Sequence, residues 1–158
     1  MDPAERQSQS ETLSSALRLI RTQRRMKSAE VAEAMGMALR SYEHFEAGGG
    51  RLNLERVHRF AEVTDSDPYA ILTALALGSP QFALRAADNK LMTILTVALQ
   101  EFDETLGDGI AELDGRTLIN AFTRTMKDLA LQAVRRDSAA SAWLEERLGR
   151  LVTPAGND

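Results

Sequence analysis

Three features of the sequence predict an all-α fold. Apolar residues recur at three- and four-residue spacing through most of the chain, and no stretch shows the alternation of a half-buried strand. Leu, Ala and Arg dominate while aromatic residues make up 5% of the composition, a balance that favours helices over sheets. Gly, Pro, Asn and Asp fall between the periodic segments, where helices stop and start. Hydrophobic content of 44% and charged content of 27% belong to an ordinary folded protein. A chain of 158 residues has room for one substantial domain, or for a small one of about 60–70 residues plus a second element.

Residues 1–10 read as a polar, flexible arm. Helix one is expected over 10–25, with Ser10 as N-cap and a buried stripe of Leu13, Ala16 or Leu17, and Ile20. Two short helical patterns then flank Gly36. The first carries Val31, Ala32 and Met35 on one face, and Ala32 is small enough to let its neighbour cross close above it. The second carries Tyr42 and Phe45, leaving Arg40, Ser41, Glu43 and His44 to face outward. Glycine between them permits the positive φ that a three- to four-residue turn needs.

The glycines at 48–50 end helix three, and Asn53 caps helix four over 54–63, with Leu54, Val57, Phe60 and Ala61 toward the core. Asp67 and Pro68 open helix five, which turns Tyr69, Ile71, Leu72 and Leu75 inward before Gly78, Ser79 and Pro80 break it. A brief helix is expected over 80–87 and a longer one over 89–106, bearing Leu91, Ile94 or Leu95, Ala98, Phe102 and Leu106. Gly107, Asp108 and Gly109 form a turn. Beyond it come a long helix over 114–136, with Leu118, Phe122, Met126 or Leu129, and Val134, and a separate final helix from Ser138 with Trp143, Leu144, Leu148 and Leu151. The expected organisation is therefore an arm at 1–10, one helical domain at 11–77, a second at 80–152, and a disordered tail at 153–158.

Composition excludes several chemistries. Cysteine is absent, which removes disulfides, thiolate metal sites and cysteine nucleophiles. His44 and His58 are too few for a convincing zinc site. The longest apolar run, over 70–77 and interrupted by Thr73, is far too short to span a bilayer. The first ten residues are polar and partly acidic, unlike a secretory signal, so a cytoplasmic protein is expected. Net charge is −4, but its distribution matters more than its total. Residues 1–77 hold 10 basic and 11 acidic groups against 9 and 12 for 78–158, and Arg18, Arg21, Arg24, Arg25 and Lys27 occupy 12–29 with no acidic residue among them. A local basic face remains available for phosphates.

The segment 17–72 resembles the lambda-repressor and Cro-like helix-turn-helix family, also called the xenobiotic-response-element type. The carriers are Leu17, Arg18 and Arg21; Val31, Ala32 and Glu33 with Met35 and Gly36; Phe45, Glu46 and Gly48; then Leu54, Val57, Ala61, Ala70, Ile71 and Leu72, in the family's usual order. The resemblance implies a five-helix DNA-binding domain in which Arg21 pairs with Glu46 to hold helix one against helix three. It implies that helix three is the recognition helix, presenting Leu39, Arg40, Ser41 and His44 to the major groove. Arg40 would contact guanine, Leu39 a thymine methyl, and Ser41 or His44 other base edges. Glu43 on the same helix would accept from a cytosine amino group or repel phosphate. Ser28 would anchor a phosphate at the start of helix two, with Arg51 a second clamp supported by Lys27 and Arg25. The family often has glutamine where this chain has Ser28, serine at Lys27 and a small polar cap at Ala38.

No catalytic constellation emerges. Asp103 and Glu104 with Asp108, and Glu112 with Asp114, read as a solvated acidic loop, and the glycines at 48–50 lack the Lys-Ser/Thr of a nucleotide-binding loop. His58 reads as a structural or surface residue. The expectation is a non-enzymatic transcriptional regulator, a repressor, with no cofactor or metal, binding double-stranded DNA as a homodimer on a palindromic operator. The helices of 80–152 would supply dimerisation. Two alternatives stand beside it: a helix-turn-helix module that binds a protein partner, as an antitoxin or anti-activator does, or a ligand-responsive regulator whose effector is unknown.

Overall fold

A computed structural model describes residues 1–152, with side chains through Leu148. Every regular element among them is helical. They divide into two compact units, Met1–Thr105 and a second that begins at Leu106.

In the first unit, α1 spans Pro3–Gln23, so its start lies well before Ser10. Pro3 occupies the first helical position, and the Glu5 carboxylate accepts from the Asp2 N–H at 3.1 Å, satisfying a donor the helix leaves open. Residues 3–10, expected as an arm, are therefore helical, although their side chains are largely exposed. The buried stripe begins only at Thr12 and Leu13 and continues through Ala16, Leu17 and Ile20.

Two short helices follow, α2 (Ser28–Ala34) and α3 (Leu39–Glu46). The turn between them closes through Met37 N–H to the Ala32 carbonyl at 2.9 Å, with Gly36 at φ +66° as its conformation requires. Val31, Ala32 and Met35 from one helix and Tyr42 and Phe45 from the next are all buried. Helix α4 (Leu54–Thr64) opens with the Asn53 side chain accepting from Arg56 N–H at 3.0 Å. Its buried face is Val57, Phe60, Ala61 and Thr64, with the Phe60 ring edge-on to Phe45 at 6.4 Å. Leu54, expected toward the core, is exposed: it lies in line with Val57 and Ala61 but at the very first residue of the helix.

Helix α5 (Pro68–Leu77) places Ala70, Ile71 and Ala74 in the core, with Tyr69, Leu72 and Leu75 half-buried around it. Helix α6 (Pro80–Arg85) packs against both α1 and α5 and buries Ala83. It therefore belongs to the first unit, and the second begins at Leu106 rather than at residue 80.

Helix α7 (Leu91–Leu106) is fastened at its first turn. Asp67, wholly buried, accepts from Tyr69 and Ala70 N–H at the start of α5 and from Met92 and Thr93 N–H at 2.8 and 3.1 Å at the start of α7. The Thr93 hydroxyl adds a fifth bond at 2.8 Å. One carboxylate thus caps two helices, and the positive ends of both offset its desolvation. Around it, the Arg24 guanidinium spans the Thr64 and Asp65 carbonyls and the Asp88 carboxylate, while Lys90 bonds Asp65 at 2.7 and 2.9 Å.

In the second unit, Gly107–Glu112 forms a 3₁₀ turn and α8 runs over Gly115–Val152. Asp114 caps it through Thr117 N–H and Oγ1 at 3.0 and 2.8 Å, bonds that hold its carboxyl below the usual range. The two helices expected over 114–136 and from Ser138 are one. Ser138 carries no breaker on either side, and a serine within a helix weakens it little. At 38 residues α8 is about 57 Å long. The Trp143 ring lies under the Arg147 guanidinium at 4.2 Å. The tail expected at 153–158 and the Leu151 side chain lie outside the described residues.

Candidate nucleic-acid interface

Helix α3 has two faces with opposite fates. Tyr42, Phe45 and Glu46 are buried, whereas Leu39, Arg40, Ser41, Glu43 and His44 are exposed. Residues three and four apart share a side of a helix, so Arg40 lies beside Glu43 and His44 on the outward surface. The helix begins at Ala38 without a side-chain cap.

A buried ion-pair cluster holds the inner face. Arg21 Nε and Nη2 donate to the two Glu46 carboxylate oxygens at 2.7 Å each, a bidentate fork between α1 and α3. The third guanidinium nitrogen donates to the Met26 carbonyl at 3.1 Å, extending the fork to the α1–α2 connection. The Tyr42 hydroxyl, one turn before Glu46, donates to the same carboxylate, and Arg18 approaches at 3.7 Å from the solvent side. Burial pushes the Glu46 carboxyl up, but hydrogen bonds from Arg21 and Tyr42, with the charges of Arg21 and Arg18, leave it below the usual carboxylate range. Burial and the bond to Glu46 push the Tyr42 phenol well above its ordinary value, and the Glu46 bond raises Arg21. The pairing of Arg21 with Glu46 expected from the sequence is thus present. Tyr42, expected only as an apolar packing residue, is its third member. The i, i+4 spacing of Tyr42 and Glu46 was the signal for it.

The remaining expected contacts sit as follows. Ser28 is the first residue of α2 and half-buried; Lys27 precedes it as cap, and Glu30 reaches back to the Lys27 N–H at 2.6 Å. Arg25 adopts φ +55° in the α1–α2 connection and is exposed, as is Arg51 beyond the glycines. Among the described residues, neither Arg25, Lys27, Arg40 nor Arg51 enters a salt bridge, whereas Arg24 and Arg59 are committed to internal partners. The His44 ring lies against Gly49 closely enough that a side chain there would run into it, so glycine at this position lets the α3–α4 loop fold back over the helix end. His58 is exposed and edge-on to Tyr69 at 5.3 Å.

No protein-family model, curated protein or solved structure matches the chain. Among the described residues, no group of three or more His, Asp or Glu side chains is placed to hold a metal ion, and no helix is long and apolar enough to cross a membrane.

Proposed function

We propose that this chain is a sequence-specific DNA-binding transcriptional regulator, a repressor of the lambda-repressor and Cro-like type, that works as a homodimer. One observation carries the reading. An ion-pair cluster built from Arg21, Glu46 and Tyr42 grips one face of a short helix, leaving the opposite face solvent-exposed with Leu39, Arg40, Ser41 and His44 on it. A rigidly backed helix with short polar and basic side chains suits the width of the major groove, and Arg40 has the donor fork that guanine accepts. Arg25, Lys27, Ser28 and Arg51 at the ends of α2 and α3 serve the flanking phosphates.

Self-association is supported by α8. Ile119, Phe122, Met126, Leu129 and Trp143 are about half exposed or more, and with Ala133, Arg136 and Ala140 they recur at alternating three- and four-residue steps. That is the spacing of a helix seam that packs against other helices. A dimer places two recognition helices on half-sites about one DNA turn apart, giving the number of contacts that a single unit lacks.

The test is sequencing of the DNA that co-precipitates with the protein from its native cells, beside an Arg40→Ala, His44→Ala control. Discrete peaks sharing an inverted repeat and absent from the control are expected. Flat enrichment, equal in both, would overturn the reading and direct attention to a protein partner, which Glu43 on the outward face of α3 would suit.

A further inference from the structure

A cavity of about 440 Å³ opens in the first unit between α1 and the α3–α4 loop. Its floor is apolar, formed by Leu13, Phe45 and Leu75 from three different helices. Its wall is the glycine run at 48–50, held to α1 by the Ser10 hydroxyl donating to the Gly48 carbonyl at 2.5 Å. Gly48 and Gly50 take φ of +77° and +78°, conformations that keep the loop free of side chains where it borders the cavity. Arg6 and Arg51 stand on the lining, and among the described residues neither guanidinium has an ion-pair partner. No lining residue is acidic, in a chain whose 23 carboxylate residues outnumber its 19 cations. The nearest carboxylates on α1 are engaged elsewhere, Glu5 with the Asp2 N–H and Glu11 with Gln7.

We propose that this cavity is a binding site for a small amphipathic anion, a carboxylate carrying an apolar chain or ring. The volume falls within the range of small-molecule sites. An apolar floor beneath two arginines separates this ligand from a bare inorganic anion, which has nothing to place on Leu13, Phe45 and Leu75. It also separates it from a neutral apolar molecule, which leaves the arginines unanswered. On the DNA-binding reading, such a ligand draws Arg51 away from phosphate and braces the loop that follows α3, so its occupancy lowers affinity for DNA. That consequence rests on the proposed function; the site itself does not.

Binding is tested on the full chain with decanoate below its micelle concentration, by calorimetry and thermal melting, with decanol and inorganic phosphate in parallel. Decanoate is expected to bind saturably and raise the melting temperature, whereas decanol and phosphate do neither. Arg6→Gln, which deletes one charge-assisted contact, and Leu52→Glu, which sets a like charge beside the ligand carboxylate, both at exposed positions on the rim, are each expected to weaken decanoate about tenfold. Failure of decanoate to bind overturns the proposal. So does equal binding of decanol that ignores both substitutions, which marks general apolar association, and so does phosphate binding as tightly as decanoate. Adding decanoate to a protein–DNA complex then reads the coupling. If ligand binds and no DNA binding exists to be lowered, the functional reading falls and the cavity assignment stands.

Discussion

Glu46 meets three donors from two helices, and that carboxylate contributes to the acid sensitivity of the first unit. Its ionisation lies below the ordinary value of about 4.5. A carboxyl depressed in the folded state stabilises the fold above its unfolded value and loses that contribution as pH falls through the folded one. Urea unfolding at pH 7 and at pH 3 is therefore expected to show a loss of stability that Glu46→Gln reduces. At pH 7 the same substitution strands the Arg21 guanidinium and is expected to destabilise by on the order of 3 kcal/mol. Equal stability of variant and parent at neutral pH would remove the structural role. Tyr42→Phe deletes one donor to a charged acceptor and is expected to lower stability by about 1.5–3 kcal/mol. At this scale the sequence made the pair legible, because Arg21 and Glu46 fall where the resemblance to helix-turn-helix proteins implies a pair. The tyrosine was hidden by its own aromatic ring, which reads first as core.

Helix boundaries were legible where a capping residue adjoined an apolar repeat after a real break in the chain, as at Asn53 and Asp67. Ser10 and Ser138 imitate that signal inside α1 and α8. Boundaries were missed where only one of those signals was present. Pro3 and Glu5 mark a helix start, yet the polar residues of 4–9 lack the repeat that draws attention to it. Ser138 offers a cap with no preceding stop, and α8 passes through it. The second duty of Asp67 was out of reach, since its α7 partners lie 25 and 26 residues on and only packing brings them together. Asp67→Ala is expected to remove both caps, at about 1 kcal/mol each, plus the penalty of leaving buried N–H groups without acceptors. Hydrogen exchange at Met92 and Thr93 should accelerate with that at Tyr69 and Ala70; exchange confined to α5 would refute the shared cap. In α8, Phe122→Glu with Leu129→Glu puts charge into the apolar seam. Sedimentation should report the monomer mass for that variant and twice it for the parent.

At the scale of the whole molecule, the net charge of −4 opposes nucleic acid while the exposed Arg25, Lys27, Arg40 and Arg51 attract it. On the proposed DNA-binding reading counterion release favours the second, because each cation seated on a phosphate displaces an ion whatever the distant charges are. Operator affinity is expected to fall steeply between 50 and 200 mM salt, with Arg51→Ala lowering the slope by about 1. Arg40→Ala is expected to weaken binding by about 1–3 kcal/mol and to relax one base position rather than change the salt slope. A slope unmoved by Arg51→Ala would take that residue off the backbone. The helical class could be read from periodicity alone. The division of the chain could not, because α6 looks from sequence like the start of something new and is in fact a cover for α1 and α5.

Continuity of α8 gives the chain a phase. In an unbroken helix each inserted residue turns everything beyond it by about 100°, whereas seven return nearly to the starting angle. A single alanine inserted after Ala133 would therefore swing Ala140 and Trp143 out of line with Ile119, Phe122, Met126 and Leu129, while a seven-residue helical insert would keep them aligned and merely lengthen the rod. Two helices joined by a hinge at Ser138 would tolerate both insertions alike.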